Sequence, residues 1–244
     1  MKKRWLISVI LLFFIICGII YILNIKVTTQ QGINYQWKAI EIPLYLKILD
    51  FFDSHYNYKW TVERIISDSK PVVSEANLTE KEKALKIFKW TYKNIKKTPE
   101  GYPVIDDHVW HIIVRGYGEV DQSADVFTTL CNYTDVDAFF IITYNENRTS
   151  ATTLSLAKLD GRWCIFDPYN GVYFKNKEGM LASIEDIING NWLIERIGEP
   201  KDPKINYNLY LQNLSPIKEI GLRRSNVQSP INRLRYQIKK WLWW

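Results

Sequence analysis

Ser-Ala-Thr-Thr-Leu-Ser-Leu-Ala-Lys-Leu-Asp-Gly-Arg-Trp-Cys-Ile-Phe-Asp-Pro, residues 150–168, is the stretch on which the reading of this chain turns. Thr152 to Lys158 and Arg162 to Phe166 are rich in β-forming residues, and Asp160-Gly161 between them suits a two-residue turn, so the stretch predicts a hairpin. Just upstream, Ala138 to Tyr144 (AFFIITY) predicts a third strand. Further back, Gly-Tyr-Gly-Glu-Val-Asp-Gln-Ser-Ala (116–124) breaks the chain and opens a helix from about Asp121 to Cys131. Before it come a short helix over Asp106 to Arg115 and a well-marked helix starting at Thr79. Thr79 and Glu82 form a capping box ahead of Ala84, Ile87, Phe88, Thr91 and Ile95, and Lys93, Lys96 and Lys97 suit the helix C-terminal dipole. Helices followed by strands predict an α+β domain with helices packed on one face of an antiparallel sheet.

The two quoted segments together resemble the core of the transglutaminase-like superfamily. There a Gly-x-Cys stretch opens a helix, a His-Ala-Trp stretch begins a strand, and Asp-Gly-x-Trp-x-x-x-Asp-Pro closes the next strand. In that register Val120 stands where the family has its Cys, and Ala124 follows four residues on, as in the family's Cys-x-x-x-Ala pattern. Asp160, Gly161, Trp163 and Asp167 fall in place. Thr152, fifteen residues before Asp167, stands where the family has its His. The resemblance covers roughly residues 78 to 175 and implies a Cys-His-Asp site of which only Asp167 survives.

That loss bears on chemistry. A thiolate at a helix N-terminus is stabilised by the macrodipole and a neighbouring imidazolium, and a carboxylate orients the imidazole. Val120 has no heteroatom, and neither Thr152 nor Thr153 exchanges a proton near pH 7. Cys131 closes the helix that Val120 opens, about 15 Å away along its axis, and Cys164 alternates to the strand face opposite Asp167. Both read as small buried apolar residues. His108 and His111, beside Asp106 and Asp107, have no third strong ligand at a supporting spacing, so no metal is predicted, and no cofactor. Glu119, Asp121 and Asp167, with Trp163, are the binding candidates. They would make the former cleft a negatively charged groove or, as an alternative, a carboxylate pair of the kind that cleaves glycosides.

Trp5 to Leu23 is an uncharged run of 19 residues, which as a helix approaches the roughly 30 Å hydrocarbon thickness. Lys2, Lys3 and Arg4 precede it, predicting a single-pass signal anchor in the cytoplasmic membrane, N-terminus inside and the domain outside. No small-residue cleavage site follows. Excess positive charge lies only at the two chain ends, the formal total being +6, which argues for lipid headgroups and against a nucleic-acid surface. The expected layout is an anchor over 1–27, a polar connector and helical lead-in over 28–77, the transglutaminase-like domain over 78–217 and a basic amphipathic tail over 218–244. Within the lead-in, one helical pattern covers Ile42 to Phe52 and a second Trp60 to Ile66. In the tail, Arg233, Arg235, Lys239, Lys240, Trp241, Trp243 and Trp244 suit a membrane interface, and packing onto protein is the equal alternative.

The expected function is therefore a membrane-anchored pseudoenzyme outside the cytoplasm that binds a protein, peptide or glycan partner. The resemblance implies a setting in bacterial envelope or surface-polysaccharide assembly, and the Ile-, Lys- and Asn-rich composition fits a bacterial source. An enzyme with a relocated site, using Cys131, His108, His111 or the acidic trio, and a structural subunit of a membrane complex are the alternatives.

Overall fold

The computed structural model describes residues 2–33, 36–67, 78–102, 104, 108–212 and 214–217. Asp106 and Asp107 lie outside the described residues, as does the tail 218–244 with its seven proposed interface residues from Arg233 to Trp244. The chain divides into two compact units, Met1–Ser54 and His55–Trp244.

In the first unit, helix α1 (Lys2–Leu23) includes the apolar run Trp5–Leu23, whose mean hydropathy of 3.1 and complete lack of burial make it long and apolar enough to cross a membrane. A signal sequence near the N-terminus meets the same description. The segment expected to be a polar connector is instead an antiparallel hairpin, β1 (Lys26–Ile33) against β2 (Gln36–Pro43), paired from Lys26 opposite Pro43 to Ile33 opposite Gln36. Polarity masked its β-forming content: Val27, Thr28 and Thr29 on one strand, and Trp37, Ile40 and Ile42 on the other. Helix α2 (Leu44–Ser67) follows as a single element of 24 residues where the sequence predicts two. No Gly or Pro occurs from Leu44 to Ser67, so nothing interrupts the backbone ladder between the two apolar patterns. The division into units falls within this helix, between Ser54 and His55.

In the second unit, helix α3 (Glu80–Asn94) starts at the predicted cap: the Thr79 hydroxyl accepts from Glu82 N, and Glu82 Oε2 accepts from Thr79 N at 2.9 Å. A two-residue strand β3 (Lys96–Lys97) pairs in parallel with β4 (Tyr117–Gly118), flanking helix α4 (Val109–Arg115). Helix α5 (Val120–Asn132) then leads into a five-stranded antiparallel sheet in sequential order: β5 (Ala138–Tyr144), β6 (Ala151–Leu159), β7 (Arg162–Asp167), β8 (Val172–Lys175) and β9 (Leu193–Arg196). Between β6 and β7, Asp160 (φ 50°) and Gly161 (φ 78°) both take positive φ, as a tight hairpin turn requires.

One sheet face, carrying Ala138, Ala157, Cys164 and Phe166, packs on Phe88 of α3 and on Phe127, Leu130 and Cys131 of α5. The other face was expected to lack helices, but it is also covered. Leu154, Leu156, Ile165 and Phe174 pack there on Ile184 and Ile187 of α6 (Ile184–Ile188), and on Tyr207, which caps α7 (Asn208–Leu211), and Leu211, which ends it. These short helices give too weak a periodic signal to be read from sequence. A sheet apolar on both faces has to be covered on both.

Candidate functional site

The N-terminus of α5 is built by a run of local necessities. Gly116 ends α4 in the left-handed conformation, φ 73°. Gly118 leaves room for Gln122, since a Cβ there would stand 2.9 Å from Gln122 Oε1. That oxygen accepts from Glu119 N (3.0 Å) and from Arg115 Nη2 (3.1 Å), while Arg115 Nε donates to the Tyr117 carbonyl (2.9 Å). The first helical residue is then Val120, half-buried, with Glu119 as its cap and Asp121 in the first turn. The place suited to a thiolate holds an isopropyl group.

Thr152 lies buried on β6 opposite Thr143 of β5, whose hydroxyl donates to the Tyr210 carbonyl at 3.0 Å. Strand alternation puts Thr152 on the face of Leu154 and Leu156, toward α7, and puts Thr153 with Ser155 and Ala157 on the α5 face. Asp167 ends β7 fully buried, and its carboxylate is already engaged. Oδ1 accepts from Asn170 N (3.0 Å), and Oδ2 accepts from Asn170 Nδ2 (2.8 Å) and from the Tyr207 hydroxyl (2.7 Å). Burial pushes its pKa above the usual carboxylate value, against the pull of the Asn170 and Tyr207 hydrogen bonds. A carboxylate held this way closes a turn and ties β7 to the α7 segment.

Tyr169 lies buried two residues beyond Asp167. Its buried phenol is pushed up to about 12, first by desolvation and then by the charges of Glu119, Asp202 and Asp167. Lys201 covers this corner. Its ammonium lies 4.9 Å from the Tyr169 ring centre and 5.3 Å from that of Tyr92, and it donates to the Ile95 carbonyl. Burial, then Lys96, lowers its pKa to about 8, and Asp167 opposes the shift. Asp202 N donates to Asn170 Oδ1 (2.8 Å), fastening the same loop to the Asp167 turn. Sequence reading found Asp167 but missed Tyr169, Asn170, Lys201 and Tyr207. Asn170 stands in an Asp-Pro-Tyr-Asn turn and could have been read from it. Lys201 and Tyr207 come from a distant loop and carry no local signal.

Of the predicted groove, Asp167 is fully buried in its own turn, while Glu119 and Asp121 are half-buried at the mouth of α5. Trp163 packs edge-on against Phe139, ring centres 4.9 Å apart, beside the α6 and α7 core. Cys131 is buried within α5 and burial raises its thiol pKa well above the ordinary value; Cys164 is buried on β7 and pushed up to about 12 for the same reason. Two of the three histidines meet Tyr58 and Tyr133: His55 Nδ1 stands 2.9 Å from the Tyr133 hydroxyl, and the Tyr58 hydroxyl stands 3.1 Å from His108 Nδ1. The His111 ring packs against His108 with centres 6.1 Å apart. Among the described residues no three His, Cys, Asp or Glu side chains come together as metal ligands.

The profile of the transglutaminase-like superfamily core matches residues 69–168. These residues thus carry a transglutaminase-like domain, with the fold that the Gly116 to Ala124 and Ser150 to Pro168 segments implied. Similar solved structures include a candidate protease from Parabacteroides distasonis (15% identity, TM-score 0.35, covering 58% of this chain and 35% of that one). A candidate cysteine protease from Cytophaga hutchinsonii (17%, 0.36, 60% and 51%) and a TGase (11%, 0.33, 58% and 43%) are the others. The chain thus spans about half or less of each of these proteins. No curated protein matches the chain.

Proposed function

We propose that this protein is a membrane-anchored, extracytoplasmic pseudoenzyme that uses a transglutaminase-like domain to bind a protein, peptide or glycan partner, in the setting of bacterial envelope or surface-polysaccharide assembly. The observation that carries the reading is the state of the Asp167 carboxylate: buried, bonded to Asn170 and Tyr207, and committed to structure where an active member would orient an imidazole. Val120 at the mouth of α5 and the buried, high-pKa thiols of Cys131 and Cys164 support it. The extracytoplasmic setting rests on the apolar run of α1 and on the basic residues Lys2, Lys3 and Arg4 before that run. The binding surface is the α5 mouth with Glu119 and Asp121.

The test has two arms. Full-length protein in detergent, given a glutamine peptide, a fluorescent primary amine and envelope peptides and glycans, yields no amine incorporation and no cleavage above buffer. A photo-crosslinking residue replacing Asp121 captures a discrete partner in the native membrane. Turnover in the first arm, or no capture above background in the second, contradicts the reading.

A further inference from the structure

The hairpin of the first unit leaves the end of α1 and comes straight back to it. Leu23 closes α1, and two residues later the Ile25 carbonyl accepts a hydrogen bond from Leu44 N at 2.9 Å, where α2 begins. Lys26 pairs with Pro43 at the hairpin base. Helix α2 therefore starts beside the point where the apolar run stops.

Both sides of that junction expose apolar side chains. On the α1 side they are Tyr21, Ile22 and Ile25, with Tyr21 75% exposed. On α2 they are Tyr45, Leu46, Ile48 and Leu49, with Leu49 58% exposed. Tyr45, Ile48 and Leu49 are spaced to share one helical face. An outward face in water is ordinarily polar, and the hairpin base alongside is so, with Lys26 and Glu41 exposed 4.0 Å apart.

We infer that the opening turns of α2, from Leu44 to Leu49, lie in the headgroup zone of the leaflet that α1 exits, and that lipid covers the Tyr45, Ile48 and Leu49 face. The inference rests on the reading of α1 as a membrane span. Five helical residues advance at most about 7.5 Å, comparable with the roughly 5–8 Å depth of the interfacial zone on each side of the hydrocarbon, so an α2 that starts beside Ile25 and runs along the surface keeps these side chains at lipid depth. Tyr21 and Tyr45 then stand on either side of the junction, where amphipathic rings favour the membrane–water boundary. The hairpin with its charged base projects into the aqueous layer.

The experiment uses the full-length chain with Cys17→Ser, reconstituted in phosphatidylcholine–phosphatidylglycerol vesicles and carrying one nitroxide at a time at Leu49→Cys, Tyr45→Cys, Leu12→Cys or Glu178→Cys. The two remaining native thiols are buried, and exposed Glu178 is the aqueous reference. The expected result is a ratio of oxygen to nickel-chelate collisions at positions 45 and 49 several-fold above that at 178, approaching the ratio at 12. If position 12 is oxygen-rich while 45 and 49 match 178, the span stands and the inference is overturned. If 12 also matches 178, the span itself falls and takes the inference with it. Exclusion of both reagents at 45 and 49 means that protein covers the face, which also overturns it.

Discussion

Three hydrogen bonds converge on the two oxygens of Asp167, and one comes from Tyr207, forty residues further along the chain. Tyr207→Phe removes that donor from a buried acceptor, so it is expected to cost about 1–3 kcal/mol in unfolding free energy, measured by urea denaturation. No change would mean that the hydroxyl does not hold the Asp167 turn. Lys201 supplies a second expectation. Its folded pKa of about 8 lies below the ordinary lysine value of 10.5, so the folded state sheds its proton first. Between these two values the unfolded chain binds more protons, and stability contributed by this group rises with pH. The melting temperature of the wild-type protein relative to Lys201→Met should therefore climb from pH 8 to 10. A flat difference would mean that Lys201 is solvated like an ordinary surface lysine. Neither contact could be read in advance, because each joins the Asp167 turn to a loop whose own sequence has no periodic or motif signal.

Local signals were read well where the physics is local. The Thr79 cap is a contact between residues three apart, and Thr79→Ala should cost about 1 kcal/mol through loss of the Glu82 N acceptor, seen in thermal unfolding; an unchanged melting curve would make the cap ornamental. The Asp160-Gly161 turn likewise follows from two residues that tolerate positive φ, and α5 opens one residue from its predicted start. What misled was polarity read without context. Thr28, Thr29, Gln30 and Gln31 resemble a linker, but their pairing with β2 turns them into a strand. The polar stretch around Asp53 to Asn57 separates two apolar patterns, yet it stays helical because it holds no Gly or Pro, and Ser54 within it is buried. The cover on the second sheet face was invisible because α6 and α7 are too short to show a 3.6-residue repeat.

The molecule joins an apolar helix at its N-terminus to a transglutaminase-like domain. If α1 is a retained span, the full-length protein stays with the membrane through an alkaline carbonate wash and a chain beginning at Lys26 does not; release of the full-length chain by the wash would count against anchoring. Spacing led to Val120 at the opening of α5, but it could not show which sheet face Thr152 takes, and strand alternation puts it toward α7 while Thr153 faces α5. The closure of Asp167 by Tyr207, and the approach of Lys201, needed the fold. Native thiol reactivity bears most directly on the claim that the domain keeps the family's architecture without its nucleophile. Full-length protein treated with iodoacetamide at neutral pH and mapped by mass spectrometry is predicted to leave Cys131 and Cys164 unmodified, while both react promptly in denaturant. Rapid, stoichiometric alkylation of either cysteine in the folded protein would contradict the account.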